Sequence, residues 1–148
     1  GFELALAPQQ SRWPTALLAG LGTPWNTLQL DGQLLLDSPG LRVRWVQGRL
    51  QLDGALRLDA HDLGSRLSTL APLGSYPLTL DAPAGTEPQL NLATLEGALQ
   101  LLGQGQWVGG RLRFSGEAQA GEDNEAALSN LLNLVGKRSG RRSLIALG

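Results

Sequence analysis

Cysteine and methionine are both missing from these 148 residues, and histidine occurs once. The first absence removes disulfides, thiolate nucleophiles and cysteine-ligated metals together. It leaves the compartment open, because disulfide-free proteins occur everywhere. The second means that Gly1 does not read as a natural start, so the chain is expected to be a fragment whose anchor, if there is one, lies upstream. Aromatic residues are scarce, four Trp, two Phe and one Tyr, so leucine and alanine must supply most of the 42% hydrophobic content. Charge of one sign is lacking too. Twelve basic and thirteen acidic residues leave a net charge of −1, which makes no chain-wide case for nucleic-acid binding. No apolar run approaches the roughly 18 residues of a membrane span, and no signal peptide is visible.

What is abundant is glycine and proline, 20 and 8 residues, scattered among short apolar runs in the manner of strands and turns. The length suits one domain, and a chain of this size can bury roughly 68–70% of its unfolded surface. One phrase occurs twice. LQLDGQLLLD, Leu28 to Asp37, returns as LQLDGALRLD, Leu50 to Asp59, changed only where Gln33 and Leu35 become Ala55 and Arg57. Leu28, Leu30, Leu34 and Leu36, then Leu50, Leu52, Leu56 and Leu58, stand at every second position. That is the period of a strand with one buried face. Gly32 and Gly54 fall on that apolar face, where a missing side chain permits a bulge, a bend or the close approach of another backbone. RLRFSGEAQA, Arg111 to Ala120, is a weaker third copy.

Along the chain, Phe2 to Ala7 reads as a strand, Pro8 to Arg12 as a loop, and Pro14 to Gly22 as one or two helical turns with proline at N1. Ser38-Pro39-Gly40 reads as a turn between the first decapeptide and a strand from Leu41 to Val46. Gln47-Gly48 then leads tightly into the second decapeptide, completing an antiparallel meander. Ser65 to Gly74 is expected to form a short helical turn. Strands follow at Tyr76–Leu80, Gln89–Leu92, Leu95–Leu101 and Arg111–Ala120, the last entered through a Gly109-Gly110 turn. The leucines change phase between Leu92 and Leu95, which calls for a bulge or turn at Ala93-Thr94. One convincing helix runs through EDNEAALSNLLNLVGKR, where Leu128, Leu131, Leu132 and Val135 share a face. Glu122, Asp123 and Glu125 suit its N-terminus, Lys137 and Arg138 its C-terminus, and Gly136 its cap. Arg142 to Leu147 is a final strand. The fold class is mainly β: a twisted or curled antiparallel sheet of long strands, covered by one amphipathic C-terminal helix.

No constellation of side chains carries chemistry. His61 is the only histidine, and the neighbouring Asp62 does not complete a metal-binding His-Asp set, so His61 reads as a surface residue at a strand end. Asp31, Asp37, Asp53 and Asp59 recur because the strand recurs. GQGQWVGG, Gly103 to Gly110, has the wrong spacing for a dinucleotide fingerprint and leads into a strand, while GKRSG ends a helix where a P-loop would begin one. Lys137, Arg138, Arg141 and Arg142 form the densest basic group. They are candidates for contact with phospholipid headgroups or an acidic partner. Trp13, Trp25, Trp45 and Trp107 lack the interleaved basic residues of a stacking platform and read as core or interface anchors. No enzyme and no cofactor is expected.

Four stretches carry a resemblance to a known family: PWNTLQLDG (Pro24 to Gly32), RLSTLAPLGSY (Arg66 to Tyr76), GALQLLGQGQWVGGRLRFSGEA (Gly97 to Ala118) and LSNLLNLVGKRSGRRSLIALG (Leu128 to Gly148). Together they resemble protein N of the bacterial type II secretion system, with Pro77 and Arg141 departing from the pattern. The helix followed by Gly, a basic pair, Gly and a short apolar strand is the most specific part. The resemblance implies an inner-membrane protein with one N-terminal span and a periplasmic β-rich region. The chain would be the C-terminal part of that region, a single domain over 1–148 lacking the anchor and some leading strands. The family is also similar to bacterial proteins of the AsmA kind, whose long sheets curl into an apolar gutter.

Two functions are therefore carried forward. The first is a non-enzymatic accessory role in the secretion machine, through contacts with other components of the inner membrane or periplasm. The second is binding of lipid or another hydrophobic ligand along the leucine faces, against which the helix argues by offering a conventional core. Phe2, Leu4 and Leu6 are candidate interaction residues, because an edge strand offers unpaired backbone groups to a partner or to a second copy.

Overall fold

The computed structural model describes residues 2–15, 28–83, 85–108 and 111–147. Its strands are β1 (Phe2–Leu6), β2 (Gln9–Pro14), β3 (Leu30–Val46), β4 (Arg49–Ser65), β5 (Gly74–Ala82), β6 (Gln89–Leu92), β7 (Glu96–Gly97), β8 (Leu99–Val108), β9 (Arg111–Ala120), β10 (Lys137–Ser139) and β11 (Arg142–Leu147). Toward the C-terminus a helix, α1 (Glu125–Val135), follows a 3-10 turn at Glu122–Asn124. All eleven strands belong to one open antiparallel sheet, in the order β1-β3-β4-β5-β6-β8-β9-β11-β10, with β2 also on β3 and β7 also on β5.

The two decapeptides lie in adjacent strands, and each brings its glycine to an irregularity between them. Gly32 sits at the register shift between Asp31 and Gln33, and Gly54 pairs with Leu41 just past the shift between Asp37 and Gly40. Both have φ in the region closed to ordinary residues, +121° and +133°. A Cβ on Gly32 would meet the His61 carbonyl oxygen at 2.8 Å, and one on Gly54 would overlap the Gly40 carbonyl. The phrase repeats because this pair of long strands needs a glycine twice.

Several elements differ from their sequence reading. Ser38-Pro39-Gly40 is a bulge inside the 17-residue β3 and not a turn. An extra residue reverses the apolar phase from even (Leu34, Leu36) to odd (Leu41, Val43, Trp45) without reversing the chain, and alternation alone reads both cases alike. The buried Ser38 hydroxyl donates to the Ala55 carbonyl at 2.9 Å and accepts from the Gly40 amide at 3.1 Å, closing the gap. Pro8 to Arg12 is not a loop, because Gln9–Pro14 forms an edge strand whose exposed polar side chains show no alternation. Residues 65–74 contain no helix; Ser68 donates its amide to the Ser65 carbonyl at 3.2 Å in an isolated turn. Lys137 and Arg138 are not the last helical turn but the start of β10, after an extended Gly136 with φ −175°. The chain does break at Ala93 and Thr94. The helix expected over Pro14–Gly22, beyond Thr15, and the Gly109-Gly110 turn lie outside the described residues.

The core is concentrated at one end. Leu128, Leu131 and Leu132 of α1 pack with Leu28, Leu73, Leu99, Ala118 and Ala120, all at most 6% exposed. Tyr76, 3% exposed, donates its hydroxyl to the Leu99 carbonyl at 2.7 Å beside this cluster.

Candidate functional site

Residues directly paired across antiparallel strands share a face of the sheet, so the registers identify one apolar face strand by strand. Leu4 pairs with Val43, and Val43 with Leu52. Leu36 pairs with Leu58, Leu58 with Leu78 and Leu78 with Leu92. Leu92 pairs with Gly103 and Gly103 with Gly116, which faces Ile145. The face is thus apolar from β1 to β11.

Glycines in this face serve packing. Gly103 and Gly105 leave room for the Phe114 ring, and a Cβ on Gly105 would come within 3.1 Å of it. The first two glycines of GQGQWVGG, Gly103 and Gly105, are thereby accounted for without any phosphate. Room for an aromatic ring explains the spacing.

The helix covers only part of the face. Eleven residues of α1 make about 16 Å of helix, whereas the 17 residues of β3 or β4 run about 55 Å. α1 packs on β9, β10 and β11. Leu52, Leu56, Leu58, Leu78, Leu80 and Leu90 remain half-buried, with no second layer of described residues upon them. The conventional core expected beneath the helix exists at one end, and the even-numbered leucines from Leu52 to Leu58 lie beyond it.

The opposite face is polar and self-neutralising. Asp53 stands against Arg42 and Asp37 against Arg57, while Asp59 accepts from Arg57 Nε at 2.9 Å. That hydrogen bond and the Asp59 charge raise the Arg57 pKa further above its ordinary value. Three of the four repeated aspartates, Asp37, Asp53 and Asp59, thus stand beside arginines, while Asp31 stands opposite Gly64. Among the described residues, no group of three or more His, Cys, Asp or Glu is placed to hold a metal ion, and His61 stands in β4 opposite Gln33. No described helix is long and apolar enough to cross a membrane.

The predicted interaction residues fall in two places. β1 is the first strand of the sheet; Leu4 is 59% exposed and Leu6 half-buried, while Phe2 pairs with Trp45. The basic group is divided and forms no single patch. Arg138 turns to the helix side, where its guanidinium donates to Ser129 Oγ at 2.5 Å, Asn133 Oδ1 at 3.1 Å and Glu125 Oε1 at 3.3 Å. Its Nε donates to the Gly140 carbonyl at 3.0 Å. Exposed Arg142 bonds Glu117 at 3.3 Å, exposed Lys137 pairs with Leu144 in register, and half-buried Arg141 lies in the turn before β11. Trp13 and Trp45 are not core residues, at 46% and 49% exposed, and Trp25 lies outside the described residues.

The described residues form an open antiparallel sheet covered at one end by a C-terminal helix, and its edges and uncovered apolar face are the candidate sites. The family model described as type II secretion system (T2SS), protein N, matches residues 1–144. The chain belongs to that family. No curated protein and no solved structure matches it. Membership assigns an accessory role in type II secretion, and the match takes in the whole sheet except the end of β11.

Proposed function

We propose that this chain is a non-enzymatic accessory component of the type II secretion machine, acting in the bacterial periplasm through the surfaces its sheet leaves open. The observation that carries the reading is the family match over residues 1–144. The sheet offers two kinds of surface. Its ends are β1 with β2 on one side and the three-residue β10 on the other, and such edges accept a strand from a partner. Other secretion components at the inner membrane are the partners. Deleting the gene and restoring it with charged substitutions in β1 tests this: secreted enzymes should fall on deletion and fail to recover with the variant. Secretion unchanged by deletion would sink the proposal.

A second reading has its own observation. The apolar face from Leu4 to Ile145 outruns the helix, and a long, half-shielded apolar strip suits an acyl chain or another hydrophobic ligand. Native mass spectrometry of gently purified protein should then show bound lipid lost on Leu58→Glu. Protein that emerges lipid-free from a lipid-rich preparation contradicts it.

A further inference from the structure

Two rows of polar side chains cross the middle strands on the face opposite the leucines. Directly paired residues share a face, so the registers trace each row through β5, β6, β8 and β9. Asp81 pairs with Gln89, Gln89 with Gln106, and Gln106 with Arg113. Two residues along each strand, Thr79 pairs with Asn91, Asn91 with Gln104, and Gln104 with Ser115. Where the rows lie side by side they form an open depression of about 290 Å³, lined by Gln89, Asn91, Gln104, Gln106, Arg113 and Ser115. Its size is near the lower end of the range for small-molecule sites.

Ion pairs occupy this face on either side of the depression, Arg57 with Asp59 on β4 and Arg142 of β11 with Glu117 of β9. Between them carboxamides take the place of charges. Each carboxamide presents a donor and an acceptor on neighbouring atoms. Gln106 spends one amide hydrogen on Glu87 Oε2 at 2.9 Å, while among the described residues no hydrogen bond or ion pair occupies the side chains of Gln89, Asn91, Gln104 or Arg113. They are left for a ligand or for water. The same face of β8 is apolar at both ends of the pair of glutamines, where Leu102 is 61% and Val108 37% exposed, two residues before Gln104 and two after Gln106.

We propose that this depression binds an uncharged saccharide, with the carboxamides bonding its hydroxyl groups and Leu102 and Val108 lying against the C–H faces of its rings. A hydroxyl both donates and accepts, as a carboxamide does, so the two match without net charge. Other ligand classes fit less well. A phosphate or carboxylate calls for donors alone, and it would meet a single arginine in a row that also holds Asp81, with Glu87 bonded to Gln106 beside it. A metal ion calls for clustered carboxylates or imidazoles, and the described residues offer no such group. An acyl chain has the leucine face instead. The strand spacing of about 5 Å sets successive carboxamides roughly one sugar ring apart. The inference depends on neither reading above, since it concerns the polar face and not the edges or the leucines.

The test is an NMR titration of the 148-residue chain, followed through the side-chain amide signals of Gln89, Asn91, Gln104 and Gln106. Maltotriose, cellotriose and the trimer of N-acetylglucosamine are the probes. At least one should shift these signals saturably below about 20 mM, as an open site of this size allows. Asn91→Ala with Gln104→Ala, both on exposed strand positions, should weaken that binding about ten-fold or more. Gln51→Ala, exposed in β4 and away from the depression, should change it less than about two-fold. Arg113→Gln keeps an amide donor and should cost less than about three-fold, and about 0.5 M sodium chloride should change the affinity as little. No saturable shift with any of the three sugars, or equal losses from Gln51→Ala and the Asn91–Gln104 pair, would overturn the proposal. Binding abolished by salt and by Arg113→Gln would also overturn it and make the depression an anion site.

Discussion

Gly54 in β4 lies so close to Gly40 in β3 that a single added carbon would strike the opposite carbonyl. Both backbones are in the positive-φ region, at +133° and +141°. The contact sits where Ser38 and Pro39 add a residue to β3, so the bulge and the glycine across from it are one feature. Gly54→Ala should lose about 2–3 kcal/mol from backbone strain and overlap together. Gly48→Ala, at a positive-φ turn with nothing within 4 Å of the added carbon, should lose only about 1 kcal/mol. Denaturant melts of the two variants measure the difference.

Arg138 fastens the helix to the β10–β11 hairpin through Ser129, Asn133 and Glu125. Arg138→Met should cost about 1–3 kcal/mol, because charge-assisted bonds are lost and partly buried acceptors are stranded. Lys137→Met, at the exposed neighbour, should change stability by less than about 0.5 kcal/mol. Equal effects would mean that the basic pair acts by charge alone.

Burial pushes the Tyr76 phenol well above its ordinary value of 10.0. The folded state therefore favours the protonated form. This contribution to stability is whole below pH about 10 and is lost as pH rises from there toward the raised folded value. Tyr76→Phe should flatten the alkaline fall in stability and cost about 1 kcal/mol at neutral pH, through the bond to Leu99. Chemical denaturation across pH 8 to 12 checks both, and Tyr76 is the only tyrosine to titrate.

Leu132 is fully buried, whereas Leu134, two residues on, is 45% exposed. Leu132→Ala should destabilise by about 2–5 kcal/mol and loosen the helix from the sheet. Leu134→Ala should stay within about 0.5 kcal/mol, and thermal melts distinguish the two.

The strands and the helix were legible because their periods differ. Leucines at every second position marked β3 and β4, and Leu128, Leu131, Leu132 and Val135 marked α1. A phase change was legible as an interruption but not as its kind, so the Ser38–Gly40 bulge read as a turn. β2 left no signal, since an exposed edge strand has no buried face to alternate. The basic group looked compact because sequence neighbours in β10 point to opposite faces, sending Arg138 to the helix and Lys137 away from it.

Among the described residues nothing forms a second layer on the leucine face beyond α1, and we propose that this face stays open to a partner or ligand. A chain without cysteine allows a direct test, because one introduced thiol reports alone. Leu56→Cys and Leu80→Cys should react with a small maleimide about ten-fold or more faster than Leu132→Cys in the folded protein. Protection of all three to the same degree would show the face covered along its length, and would contradict the account.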